Sequence, residues 1–98
     1  QKQINQINVQ NIIKVVSRTM KIKEKQIIGK SRSMEIALAR QMCMFIAKEK
    51  TNLSLASIGS QIGNRDHSTV IHAYKNIKNK LAKDIELKQI INNITNQI

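Results

Sequence analysis

The chain has 98 residues, 41% of them hydrophobic, which suffices for one domain with a single core and leaves no room for a separate catalytic domain. Seventeen Lys and Arg residues against six Asp and Glu give a formal net charge of +11, so the expected partner is a polyanion. Aromatic residues make up only 2%, which argues against the base-stacking surfaces of single-strand binders. One cysteine, Cys43, excludes an intrachain disulfide and a multi-cysteine zinc site.

The sequence also bears on location and domain organisation. No apolar run approaches the length that crosses a bilayer, and residues 1–8 lack the hydrophobic stretch of a signal peptide. We therefore expect a soluble, cytoplasmic protein in which residues 1–98 form a single domain.

Helical periodicity runs through the whole chain, which has no proline and three glycines. Apolar residues at i, i+3, i+4, i+7 and i+11 from Val9 predict a first helix at about residues 8–19. A short second helix is expected at 24–28, ended by Gly29 in the left-handed conformation. The polar stretch 30–33 is expected to be a loop.

The third predicted helix, residues 34–50, begins after Ser33 and carries apolar residues on two sides, which is typical of a central helix. Cys43 lies within it and is expected to be buried and unreactive. All four methionines are expected in the core, because they stand at helical spacing.

The last three predicted helices cover residues 54–62, 66–82 and 85–97, with Ser54, Asp66 and Asp84 as N-caps. Gly63-Asn64 lies between the helices predicted at 54–62 and 66–82 and predicts a tight turn there. The fold class is therefore all-α, with about six helices. Two short helices joined by such a turn, the second amphipathic, are typical of a helix-turn-helix over about residues 54–82.

Polar and basic residues cover the outer side of the predicted helix 66–82. With Val70 at the centre of the buried side, ideal helical angles place four polar side chains opposite it: Ser68, His72, Lys75 and Asn79. Between residues 65 and 83 there are five basic residues and one acidic residue. Contact with DNA phosphates is the simplest use of this charge.

Three catalytic or ligand-binding interpretations fail on geometry. Asp66, His67 and Ser68 are adjacent on a helix and point in different directions, so they cannot form a catalytic triad. His67 and His72 are five residues apart, whereas a helical metal-binding pair is four apart. Gly29-Lys30-Ser31 lacks the earlier glycine and the preceding strand of a phosphate-binding loop.

Two stretches of the sequence carry a family resemblance. Gly63-Asn64-Arg65-Asp66-His67-Ser68-Thr69-Val70, followed by His72-Ala73, resembles the signature of the DnaA family of bacterial chromosomal replication initiators. Arg40-Gln41-x-x-Met44 and Leu53-Ser54-Leu55-x-x-Ile58-Gly59 resemble the upstream part of that signature. The resemblance covers about residues 8–81 and points to the C-terminal DNA-binding domain of the family.

The resemblance implies sequence-specific binding to a short asymmetric box, repeated at the replication origin, in double-stranded DNA. It implies no enzymatic activity, no metal and no cofactor in this domain. ATP is expected only in an upstream ATPase domain of the parent chain, to which the first helix would link.

The resemblance also assigns roles to individual residues. Base contacts in the major groove fall to Asp66, His67, Ser68 and Thr69, and a minor-groove contact falls to Arg32. Ser68 replaces the Thr that is usual in the family and keeps its hydroxyl while losing the methyl. Phosphate contacts fall to seven further residues: Lys30, Arg40, Gln41, Lys48, Arg65, His72 and Lys75.

Two alternatives stay open at this stage. One is a helix-turn-helix transcription regulator unrelated to replication, which a dimer interface or a palindromic target would favour. The other is a basic module for protein interaction or for binding a membrane surface, with the lysines of the first helix contacting anionic lipid.

Overall fold

Six α-helices account for most of residues 7–98, the part of the chain that the computed structural model describes. Within that range there is no strand, and the predicted all-α class is confirmed. The predicted single domain also includes residues 1–6, which lie outside the described residues. Each predicted helix boundary lies within one residue of the observed one. The helices are α1 (Val9–Met20), α2 (Glu24–Ile28), α3 (Met34–Lys50), α4 (Leu55–Gln61), α5 (His67–Leu81) and α6 (Ile85–Gln97).

The predicted N-caps explain why four of these helices begin where they do. Each cap side chain accepts a hydrogen bond from the backbone N–H three residues later, at 3.4 Å for Ser33, 3.0 Å for Ser54, 2.9 Å for Asp66 and 3.0 Å for Asp84. Such a bond satisfies one of the unpaired N–H groups of the first turn and contributes about 0.5–2 kcal/mol.

The core is built around α3, which contacts all five other helices, as the two-sided apolar pattern predicts. Cys43 is fully buried, and burial raises the pKa of its thiol above the ordinary range. Met42 and Met44 are buried too, but the prediction of a core position is wrong for Met34, which is 87% exposed. Met34 is the first residue of α3 and follows an exposed loop, so little packs against it.

The end of α2 differs from the prediction. Gly29 has φ −83° and ψ −162°, which is extended and not left-handed. The side chain of Arg40 donates to the carbonyls of Gln26, Ile27 and Gly29, and so satisfies helix-end groups that a left-handed turn commonly satisfies. A left-handed C-cap does occur at Lys21, after α1, with φ 57°.

The apolar side of α1 packs into the core. Val9, Ile12, Ile13 and Val16 are buried there, while basic residues such as Lys14 remain exposed. A helix that lies on a membrane needs a free apolar face, so this packing gives no support to the alternative in which the first helix contacts anionic lipid. Among residues 7–98, no helix has the length and apolar character that crossing a bilayer requires.

Candidate nucleic-acid interface

The turn between α4 and α5 gives the predicted helix-turn-helix its geometry. Gly63 and Asn64 both have positive φ, 75° and 57°, and the chain then reverses into α5. The backbone N–H of Arg65 donates to the carbonyl of Gly59 at 2.8 Å, which closes the turn onto α4. Glycine adopts a positive φ without strain and asparagine tolerates it better than most residues, so the sequence suits this turn.

Two glycines make room for Arg65. A Cβ at Gly59 would overlap the carbonyl oxygen of Arg65, and a Cβ at Gly63 would overlap Nη1 of the same residue and the carbonyl oxygen of Ile28. The turn therefore packs directly against the end of α2, with the Arg65 guanidinium filling the space that the missing side chain leaves.

Arg65 and Arg40 meet at one acceptor. Nη2 of Arg65 donates to the Gly29 carbonyl at 2.6 Å, and Nη2 of Arg40 donates to the same oxygen at 3.0 Å. Burial, and then the nearby positive charge of Arg65, lower the pKa of Arg40. Guanidinium groups stay protonated in proteins, so two positive charges lie side by side, held by backbone carbonyls.

The structure corrects the role expected for Arg40. Its side chain is only 9% exposed, and four of the five N–H groups of a guanidinium are engaged. They donate to the carbonyls of Ile27 at 2.7 Å, Ser31 at 3.1 Å, Gln26 at 3.1 Å and Gly29 at 3.0 Å. Arg40 thus holds the loop of residues 29–33, here called the α2–α3 loop, and has little left for a phosphate.

The first turn of α5 is open to solvent. Asp66, His67, Ser68 and Thr69, the four residues expected at base edges, are all exposed. Oδ1 of Asp66 accepts from the backbone N–H of Thr69 and from its hydroxyl, both at 2.9 Å. These two bonds lower the pKa of Asp66, which therefore stays ionised at neutral pH. One carboxylate oxygen caps the helix and the other stays available to a donor outside.

Five of the expected site residues meet in a groove between α3 and α5. It is a cavity of about 180 Å³. Beside this cavity, Nδ2 of Asn76 on α5 donates a 2.6 Å hydrogen bond to Oε1 of Gln41 on α3. No acidic side chain is among the described residues that line the cavity. Its polar lining consists of Arg40, Gln41, Arg65, Thr69 and His72.

The remaining expected residues surround this groove. His72 and Lys75 are exposed on α5, and Lys48 is exposed on α3, two turns beyond Gln41. Lys30 and Arg32 are exposed on the α2–α3 loop, the backbone of which Arg40 holds. Arg40 and Arg65 link this loop to α3 and to the turn before α5. The exposed side chains of the loop, α3 and α5 together are here called the candidate surface.

Sequence reasoning missed two features of this surface. Helical spacing places Asn76 on the same side of α5 as Thr69, seven residues earlier, but it does not predict the bond from Asn76 to Gln41 on α3. Tyr74 stacks on Phe45 with ring centroids 5.1 Å apart, and its ring lies 4.7 Å from Lys48 Nζ. Its hydroxyl donates to Glu49 at 2.6 Å, which raises the pKa of Tyr74. No local sequence pattern predicts the contacts of Tyr74, because Tyr74 lies on α5 and its partners lie on α3.

Metal-binding geometry is not found on the described part of the chain: residues 7–98 hold no group of three His, Cys, Asp or Glu side chains that could bind an ion.

Comparison with known proteins adds the family context. The family model described as the bacterial dnaA protein helix-turn-helix matches residues 9–77. A chromosomal replication initiator protein DnaA from Streptococcus thermophilus is 44% identical over 92 residues, 94% of this chain and 20% of the relative. Proteins of that name from Streptococcus mutans and Methylacidiphilum infernorum are 45% and 41% identical over the same lengths. The chain therefore spans about a fifth of the length of the curated relatives it matches.

Proposed function

The chain belongs to the bacterial DnaA helix-turn-helix family, and we propose that it is the DNA-binding part of a replication initiator, recognising a short asymmetric box in duplex DNA. The observation that carries this proposal is the groove between α3 and α5, which combines two guanidinium groups with polar side chains beside the exposed first turn of α5. The proposal is of a binding function without catalysis. A longer parent protein with this function would work in the bacterial cytoplasm, and ATP would bind to its upstream domain.

The first turn of α5 would enter the major groove. His67, Ser68 and Thr69 are exposed there and can donate or accept hydrogen bonds at base edges, while the free oxygen of Asp66 can accept from a cytosine amino group. The N-terminal residues of a recognition helix commonly make these contacts.

Positive charge flanks that turn and would bind the DNA backbone. Arg65 keeps three of its five N–H groups after its two bonds to carbonyls, and a phosphate in the groove would offset its repulsion with Arg40. Further phosphate contacts would come from exposed or partly exposed side chains: Lys30, Gln41, Lys48, His72 and Lys75. Arg32, on the α2–α3 loop, would enter the adjacent minor groove, where a narrow A·T-rich groove attracts arginine.

Selection from a pool of random duplexes tests this function. We expect enrichment of one asymmetric box, bound by a single chain, because the surface has no two-fold symmetry element of its own. A palindromic box bound by two chains would favour the transcription-regulator alternative. Enrichment of no sequence, together with binding to anionic vesicles, would contradict the proposal.

A further inference from the structure

Arg65 is half-buried and has a second role that its place in the signature does not suggest. We propose that Arg65 positions the α2–α3 loop relative to α5. Arg65 would thereby control how Arg32 recognises DNA, although Arg65 itself does not contact the bases that Arg32 contacts. This inference rests on the proposed function, in which the loop and α5 contact one duplex. Arg65 is a positioning residue in this scheme, in addition to any phosphate it binds.

The first step is the anchoring of Arg65 itself. Its backbone N–H donates to the Gly59 carbonyl at 2.8 Å, and Nη1 donates to the Ile62 carbonyl at 2.9 Å. Both acceptors belong to α4 and its end, so the guanidinium is fixed on the helix-turn-helix. Nη2 then reaches Gly29, 36 residues earlier in the chain, at 2.6 Å.

The second step extends this link from Gly29 along the α2–α3 loop, through the hydrogen bonds of Arg40. Arg40 shares the Gly29 carbonyl with Arg65 and also donates to the carbonyl of Ser31 at 3.1 Å. Arg32 follows directly after Ser31. Two guanidinium groups therefore connect the turn before α5 to the residue that precedes Arg32, through backbone acceptors only.

The third step is that the link needs an arginine. A guanidinium presents N–H groups on two edges in a fixed plane, so it can bridge Ile62 and Gly29, whereas a lysine ammonium is a single point charge on a flexible stem. The absence of a side chain at Gly63 leaves the space that this planar group fills. Lysine at position 65 would keep the charge and lose the bridge.

The test measures dissociation constants on a defined set of duplexes. The reference duplex is the box recovered by selection, and in each variant duplex one A·T pair is replaced by G·C. The proteins are wild type, Arg65→Lys, Arg32→Ala, the double variant and Lys75→Ala. Lys75→Ala is the control, because Lys75 is exposed on α5 and its removal takes away a positive charge without removing a bond to the α2–α3 loop.

We expect the A·T preference at one end of the box to disappear in Arg32→Ala and to fall at least threefold in Arg65→Lys. Preferences at the pairs that α5 recognises should change less than twofold. Lys75→Ala should leave the end preference unchanged. In the Arg32→Ala background, Arg65→Lys should not change the end preference further, because coupled residues give non-additive effects.

Two results would overturn the inference. One is a uniform loss on all duplexes in Arg65→Lys, equal to that of Lys75→Ala. The other is an effect of Arg65→Lys on the end preference that persists without Arg32. Absence of any preferred duplex for the wild type would instead contradict the proposed function itself, so the two failures are distinguishable.

Amide hydrogen exchange without DNA provides a second measurement. The amides of Gly29 and Ser33 are hydrogen-bonded, to the Gln26 carbonyl and to Ser31 Oγ, both at 3.3 Å. We expect these two amides to exchange at least tenfold faster in Arg65→Lys and in Arg65→Gln, while amides in the middle of α3 keep their protection. Unchanged exchange in the loop would contradict the positioning role. So would global unfolding of both variants, because Arg65 would then support the whole fold and not the loop.

Discussion

Thr69 and Asp66 are joined twice at the start of α5. Both the backbone N–H and the hydroxyl of Thr69 donate to Oδ1 of Asp66, at 2.9 Å each. The hydroxyl proton of Thr69 is therefore engaged within the protein. What the side chain can offer to a base is its methyl group and the lone pairs of its oxygen.

This arrangement predicts opposite outcomes for two near-isosteric variants. Thr69→Ser keeps the bond to Asp66 and loses the methyl, whereas Thr69→Val keeps a methyl and loses the bond. If the methyl contacts a thymine methyl, Thr69→Ser should lower the preference for the selected box over random duplex by about 1 kcal/mol, within the range for base discrimination. Thr69→Val should keep most of it. Competition binding checks this, and the reverse order would assign the contact to the oxygen.

Substitution of His67 should lower sequence discrimination, whereas substitution of Lys75 should lower affinity for every duplex. His67→Ala should cost about 1–3 kcal/mol on the preferred box and much less on random duplex, because it removes a base-edge contact. Lys75→Ala should weaken both by a similar factor, because phosphates are the same in every sequence. Titrations of both duplexes, with helical content as the folding control, check the pair. Full discrimination in a folded His67→Ala variant would show that α5 is not the recognition element.

Salt dependence should reflect the charges that the structure leaves available. With Arg40 buried and Arg32 assigned to the minor groove, the cations expected at phosphates are Lys30, Lys48, Arg65 and Lys75. Four neutralised phosphates give a slope of log K against log salt of about −3.6. Titrations between low and moderate salt measure it, and Lys75→Ala should flatten it by about one unit. A slope near zero would leave the net charge of +11 without a role in binding.

Gly63 should be intolerant of alanine for two separable reasons. Its φ of 75° costs an L-residue about 1–2 kcal/mol, and a Cβ would overlap Arg65 and the Ile28 carbonyl. Asn64→Ala is the matched control, because Asn64 shares the positive φ and is exposed. Thermal or urea unfolding should show a larger loss for Gly63→Ala than for Asn64→Ala. Equal losses would mean that only backbone conformation matters.

Cys43 should make stability fall at alkaline pH. Its pKa is raised in the folded state, so the folded chain keeps the thiol proton when the unfolded chain has released it. The stabilising effect of this protonated thiol on the free energy of unfolding is fully present below the pKa of the unfolded thiol, about 8.5. Above that pH it declines by about 1.4 kcal/mol per pH unit. Urea unfolding at several pH values, with Cys43→Ala as control, measures the difference. Equal slopes in the two proteins would contradict this.

Much of the fold follows from local signals. Hydrophobic spacing located six helices, and cap residues such as Ser54 and Asp66 fixed their starts to within a residue. Local spacing does not say whether a given side of a helix contacts a neighbour, so it predicts a core position for Met34, which is exposed. Spacing within α2 predicts a left-handed Gly29, but the conformation of Gly29 depends on Arg40, eleven residues later.

The site shows the same division. Ideal helical angles predict an exposed Ser68 but turn Asp66 and His67 toward the core. The structure leaves all three exposed, because Asp66 caps the helix and His67 lies in its first turn. The sequence places Arg40 among the phosphate contacts, because a basic residue in a family motif gives the same signal whether its donors face solvent or backbone carbonyls. Its acceptors lie nine to fourteen residues earlier, on another element, so only the tertiary structure reveals them. The DNA contacts themselves remain predictions.

The stacking of Tyr74 on Phe45 has a practical consequence. The chain contains no tryptophan and a single tyrosine, so its intrinsic fluorescence comes from one position on α5. That ring touches α3 through Phe45 and through the hydroxyl bond to Glu49. Emission from the unlabelled protein therefore reports on the contact between the two helices that flank the groove, and the wild-type chain carries its own optical probe for any ligand that moves one against the other.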